Sequence, residues 1–159
     1  MLKSRIFDLG LAAFLLGASI SALASLSESY SLKTTDTWFF IGHGKPILAN
    51  ETQRLDSSRP ILHIGQSFGC MTDFEPINES LYLVAELRGP ESLRHFHPEA
   101  TSVAFSADNL SVISTLEIDG NQGSTGFWYS VDPGDPLGQY ELTCKLGGVP
   151  VGHYEFIVE

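Results

Sequence analysis

Cations and cysteines are scarce in this chain. Nine lysines and arginines stand against 19 acids in 159 residues, a formal charge of −10. No basic stretch is present, which argues against a nucleic-acid partner. The two cysteines, Cys70 and Cys144, form no C-x-x-C pair and no His–Cys cluster, so a zinc-finger scaffold is excluded. No D-x-[DN]-x-[DN]-G run occurs, which removes the EF-hand. Internal repeats and low-complexity tracts are missing, and no stretch holds a 3.6-residue apolar period over a dozen positions. With 43% apolar and 18% charged residues the chain is not disordered, and its length excludes large multi-domain enzymes.

The N-terminus is the first positive feature. Lys3 and Arg5 precede an apolar run from Leu9 to Ile20, and Ala22-Leu23-Ala24 offers small residues where a signal peptidase reads. Cleavage is expected before Ser25. The alternative, a membrane anchor, needs about 20 apolar residues, more than lie between Leu9 and Ala24. No cysteine follows the cleavage point, so a lipoprotein is not expected, and no later segment is apolar enough to span a bilayer. The sequence thus predicts a signal peptide over 1–24, a polar flexible lead-in over 25–34 and one domain over 35–159. Its expected location is the periplasm or the exterior. An oxidising compartment favours a Cys70–Cys144 disulfide.

Period-two alternation fills the rest. In 61–74, Leu62, Ile64, Phe68, Cys70 and Phe74 share one parity. In 81–88, Leu81, Leu83, Ala85 and Leu87 alternate with Tyr82, Val84, Glu86 and Arg88. The segments 110–118, 140–146 and the final residues through Val158 repeat the pattern, and shorter β segments fall at 36–41, 101–106 and 125–131. Such alternation marks half-buried strands. About seven or eight of them at turn-marked spacing predict an all-β sandwich or barrel. Both cysteines lie on the apolar parity, as a bridge between facing sheets requires.

Residues 132–158, DPGDPLGQYELTCKLGGVPVGHYEFIV, resemble the last two strands of an immunoglobulin-like or fibronectin type III-like antiparallel β-sandwich. The resemblance implies that Tyr140, after a Pro/Gly corner, hydrogen-bonds the corner backbone. Two departures set the chain apart from antibody domains. Tyr140 precedes Cys144 by four residues rather than two, and no tryptophan follows Cys70, the two being Trp38 and Trp128. The resemblance implies architecture rather than activity.

Several motifs bear on chemistry. Gly65-Gln66-Ser67-Phe68-Gly69 matches the G-x-S-x-G elbow of serine hydrolases, with His153 downstream as the base. Its context opposes that reading, because CMTDFEPINES, which follows, has no helical period. Glycines around a serine also serve a strand bulge. His95 and His97, two apart, are candidate copper or zinc ligands with Met71 as a soft third, although Pro90 and Pro98 bracket them as a loop. Asp132 and Asp135 are a candidate calcium pair, set against ordinary turn chemistry. Asn50, Asn78 and Asn109 begin N-x-S/T sequons, which matter in a eukaryotic host and are incidental in a bacterial one. Trp38-Phe39-Phe40 and Phe127-Trp128-Tyr129 place rings on both faces of their strands, one of each set expected in the core. Taken together these features predict a non-enzymatic exported binding or structural module of the cell envelope. It carries no cofactor and contacts another exported protein. A small periplasmic metal-binding protein and a Ser67 hydrolase are the alternatives.

Overall fold

The computed structural model describes residues 32–43, 53–55, 59–93 and 100–159. They form ten strands: β1 Thr34–His43, β2 Gln53–Leu55, β3 Ile61–Leu62, β4 Gln66–Phe74, β5 Ser80–Arg88, β6 Ser102–Phe105, β7 Ser111–Asp119, β8 Ser124–Ser130, β9 Gly138–Leu146 and β10 Val149–Val158. A 3-10 turn at Gly120–Gln122 links β7 to β8. One sheet has four strands in the order β2-β1-β4-β8; the other has six, in the order β3-β10-β9-β5-β7-β6. All pairings are antiparallel except the short β3 against β10. The fold is an immunoglobulin-like β-sandwich.

The alternation read from sequence is what builds the core. Leu83, Ala85 and Leu87 of β5 are fully buried, as are Leu142, Cys144 and Leu146 of β9, while Tyr82, next to Leu83 on the opposite parity, faces solvent. Aromatic rings join the layers. Phe156 of β10 lies 4.6 Å from Phe68 of β4 and 5.5 Å from Phe39 of β1, centroid to centroid. Cys70 of β4 and Cys144 of β9 form a disulfide between the sheets, Cα atoms 6.8 Å apart and both residues buried. Tyr129 of β8 adds a polar tie. Its hydroxyl lies 3.1 Å from Ser114 Oγ of β7, and burial pushes its pKa well up.

Three details differ from the sequence reading. The segment 61–74 is not one strand. Gly65, at φ +87°, turns the chain from β3 in the larger sheet to β4 in the smaller. Ile64 consequently sits in the turn, 54% exposed, instead of sharing the buried parity of Phe68. The three-residue β2 was invisible, being too short to alternate. Leu32 and Lys33, within the expected lead-in, already touch the domain: Leu32 packs against the core and the Lys33 carbonyl accepts from Glu75 N. Residues 1–31, which hold the expected signal peptide, lie outside the described residues.

Candidate binding surface

The hydrolase motif comes apart in three dimensions. Ser67 lies inside β4, fully buried, and the strand runs on to Phe74 with no helix after it. Its parity is opposite to Phe68 and Cys70, so it points away from the six-stranded sheet. His153 stands on the outer face of that sheet, exposed, its Nδ1 3.1 Å from Thr143 Oγ1. The core separates the two residues. Each glycine of the motif has a structural reason. Gly65 makes the sheet-switching turn, and a Cβ on Gly69 would sit 1.8 Å from the Phe127 carbonyl oxygen of β8.

Of the metal candidates, only Met71 lies among the described residues. His95 and His97 lie outside the described residues. Met71 is half-buried on the outer face of the four-stranded sheet, its sulfur filling the space above Gly126. Among the described residues no three His, Cys, Asp or Glu side chains gather as a metal site. Asp132 and Asp135 are a turn: Asp135 Oδ2 accepts from Asp132 N at 2.7 Å, and Asp135 N donates to the Asp132 carbonyl at 3.1 Å. That turn forms the corner anticipated for Tyr140. The Tyr140 hydroxyl donates to the Pro136 carbonyl at 2.7 Å, and its ring stacks on Phe156 at 5.4 Å. Of the sequons, Asn50 lies outside the described residues. Asn78 is exposed between β4 and β5, and Asn109 takes φ 59° in the β6–β7 turn.

The aromatic triplets divide by parity. Phe39, Phe127 and Tyr129 enter the core; Trp38, Phe40 and Trp128 turn to the outer face of the four-stranded sheet. None of these outward rings is widely exposed, and Phe40 is wholly buried. The Arg54 guanidinium covers Trp38 at 5.2 Å and pairs with Asp36 through two hydrogen bonds of 2.6 and 3.1 Å. Those bonds hold the Asp36 carboxyl below its usual range.

Open apolar surface lies elsewhere, at the margin where the sheets differ in width. The four-stranded sheet ends at β8 among the described residues, while the larger sheet continues past β7 to β6. Across the β6–β7 ladder Val103 stands opposite Ser114 and Phe105 opposite Val112. Opposed residues share a face, so Val103 and Phe105 belong to the inner face. Yet Ser114 and Val112 are fully buried, whereas Val103 is 38% and Phe105 37% exposed. β8 faces β5, its Tyr129 hydroxyl reaching the Ala85 carbonyl and Ser114 Oγ, so among the described residues the inner face of β6 has no strand opposite it. Sequence reasoning missed this pair because exposure at β6 depends on how many strands lie opposite. The one available signal was the lack of charge in Ser102–Phe105 and in Ser124–Ser130.

Comparison with known proteins agrees with the architecture. An immunoglobulin-like protein of Pseudomonas aeruginosa, PA1606, whose crystal structure was determined at 1.50 Å, superposes with a TM-score of 0.55. The match covers 83% of this chain and 99% of that one, at 10% sequence identity, and shows likeness of fold. No curated protein sequence matches. The PM0630 beta sandwich domain family matches residues 50–159, more than half of the sequence, and the chain belongs to that family.

Proposed function

We propose that this protein is a non-catalytic module exported to the cell envelope, where it works by contact with another exported protein. The observation that carries the reading is the exposed apolar pair on β6. Ser102–Phe105 and Ser124–Ser130 hold no charge and no proline, and Val103 and Phe105 stay more than a third exposed. Proteins that act alone blunt such margins with charge, proline or a covering segment. The buried Cys70–Cys144 bridge supports an oxidising destination. The dispersal of Ser67, His153 and the Asp132–Asp135 turn supports a role without catalysis.

The test is a photo-crosslinking scan in cells, with p-benzoylphenylalanine placed in turn at Tyr82, Val103, Leu137 and Val149, all exposed. The expected result is a discrete heavier species from one or more positions, on protein recovered from the envelope with no alkylatable thiol. Monomer alone at every position, or both thiols free in vivo, overturns the reading.

A further inference from the structure

The two terminal strands of the domain run in the same direction in facing sheets. β1 belongs to the smaller sheet and β10 to the larger. Leu32, just before β1, lies beside Gly147, in the turn that leads into β10: a Cβ added to that glycine would sit 3.6 Å from Leu32 Cδ2. Further along, the Phe39 ring meets Tyr154 at 5.2 Å and Phe156 at 5.5 Å. Both strands therefore start at one end of the sandwich and finish at the other. Each is ten residues long, so the start of β1 and the end of β10 stand about 30 Å apart along the strand axis.

That geometry decides how the domain meets a pull between its ends. β1 has nine partners on β4, and β10 has nine on β9. Both ladders are antiparallel, with hydrogen bonds perpendicular to the strands. Drawing Thr34 one way and Val158 the other slides β1 along β4 and β10 along β9. Every bond of a ladder then carries load at once, and none is peeled before the next. The packed rings of Phe39, Tyr154 and Phe156 resist the same sliding.

The disulfide lies on the load path. It joins β4 to β9, the ladder partners of the two terminal strands. Cys70 stands opposite Phe39 of β1, and Cys144 opposite Gly152 of β10. Once the ladders fail, the 74-residue span between the cysteines stays closed. Only about 38 residues before Cys70 and about 15 after Cys144 are then free to extend, roughly 180 Å of chain. Without the bridge the whole of residues 32–159 draws out to roughly 430 Å.

We infer that the domain is a tension-bearing link: its terminal strands lock it in shear against a pull along the sandwich, and the Cys70–Cys144 bridge caps its extension. Both properties suit an exported module anchored at one side and gripped at the other. Neither depends on which surface a partner contacts.

The test is single-molecule force spectroscopy on the oxidised full chain, held by peptide tags. One form carries the tags at its two termini. The other carries the second tag between Gly147 and Gly148, at the end where Leu32 lies, so that the pull peels β1 from β4. End-to-end pulling should give one rupture of the domain at roughly twice the force of the same-end pull or more, at equal loading rate. The contour gain should be about 150 Å, and Cys70→Ala with Cys144→Ala should raise it to about 400 Å. The extension needs no insertion and is read from the end-to-end form alone. Equal rupture forces in the two directions, a staircase of small low-force steps, or a gain near the longer value from the oxidised wild type overturns the inference.

Discussion

Cutting the single covalent tie between the sheets gives the sharpest check on the architecture. The perturbation is Cys70→Ala with Cys144→Ala. The bridge spans 74 residues of sequence. By loop-closure entropy a link of that span removes about 4 kcal/mol of freedom from the unfolded chain. Both residues are also almost wholly buried, Cys70 at 1% and Cys144 at 0% exposure. Replacing each sulfur by a void costs roughly another 1 kcal/mol. Native disulfides in small exported domains usually deliver about 2–5 kcal/mol, so the upper half of that range is expected here. With a urea dependence of about 1.5 kcal/mol per molar, the midpoint should fall by roughly 2–3 M. The assay is equilibrium urea unfolding followed by tryptophan fluorescence, on the oxidised wild type and the double variant. The variant should keep the fold, because the Phe39, Phe68 and Phe156 rings still join the sheets. A midpoint shift below about 0.5 M would refute the reasoning, since it would mean that the bridge neither restricts the unfolded chain nor fills the core.

Further tests follow from particular contacts. Gly69→Ala drives a methyl into the Phe127 carbonyl; it should cost about 3 kcal/mol or more or prevent folding, whereas Leu137→Ala at 63% exposure should change stability by less than about 0.5 kcal/mol in the same urea assay. Tyr129→Phe removes the hydroxyl that meets buried Ser114 and should lower stability by about 1–2 kcal/mol, measurable as a shift in thermal midpoint. At high pH the buried tyrosines should unfold the protein. Burial, the leading cause, raises Tyr129, Tyr140 and Tyr154 above their ordinary value of 10.0, with Tyr154 pushed up to about 12. A raised folded-state pKa gives stability that is whole below pH 10 and lost as pH climbs through the folded value. The urea midpoint should therefore be flat from pH 8 to 10 and fall between 10 and 12, less steeply in Tyr154→Phe.

Most of the fold was legible because one side of each strand is buried. Leu81, Leu83, Ala85 and Leu87 show the alternation in sequence and again in burial, and the shared parity of Cys70 and Cys144 foreshadowed the bridge. What escaped had no periodic signature. Gln53–Leu55 is three residues long, and β3 is two. The turn at Gly65 hid inside a motif whose glycines suggested a catalytic elbow. The exposed pair on β6 escaped for a different reason. Whether Val103 is core or surface depends on the width of the opposite sheet, a long-range property that local alternation does not encode. Asp108, Asp119, Asp132 and Asp135 lie at strand ends and turns, as the sequence already placed them.

Unequal sheet widths link the fold to the proposed role. Two facing layers bury each other only where both have strands, so a six-stranded sheet over a four-stranded one leaves inner surface to be dealt with. Along the β5–β7–β6 direction the transition is abrupt: Val112 is 0% exposed and its cross-strand neighbour Phe105 is 37%. The boundary of the core thus falls between two hydrogen-bonded strands, β7 and β6. A polar β6 would have ended the core at no cost in solubility, and outward-facing Ser102 and Ala104 show that small residues fit this strand. Val103 and Phe105 sit instead on the inner face, with no strand opposite them among the described residues.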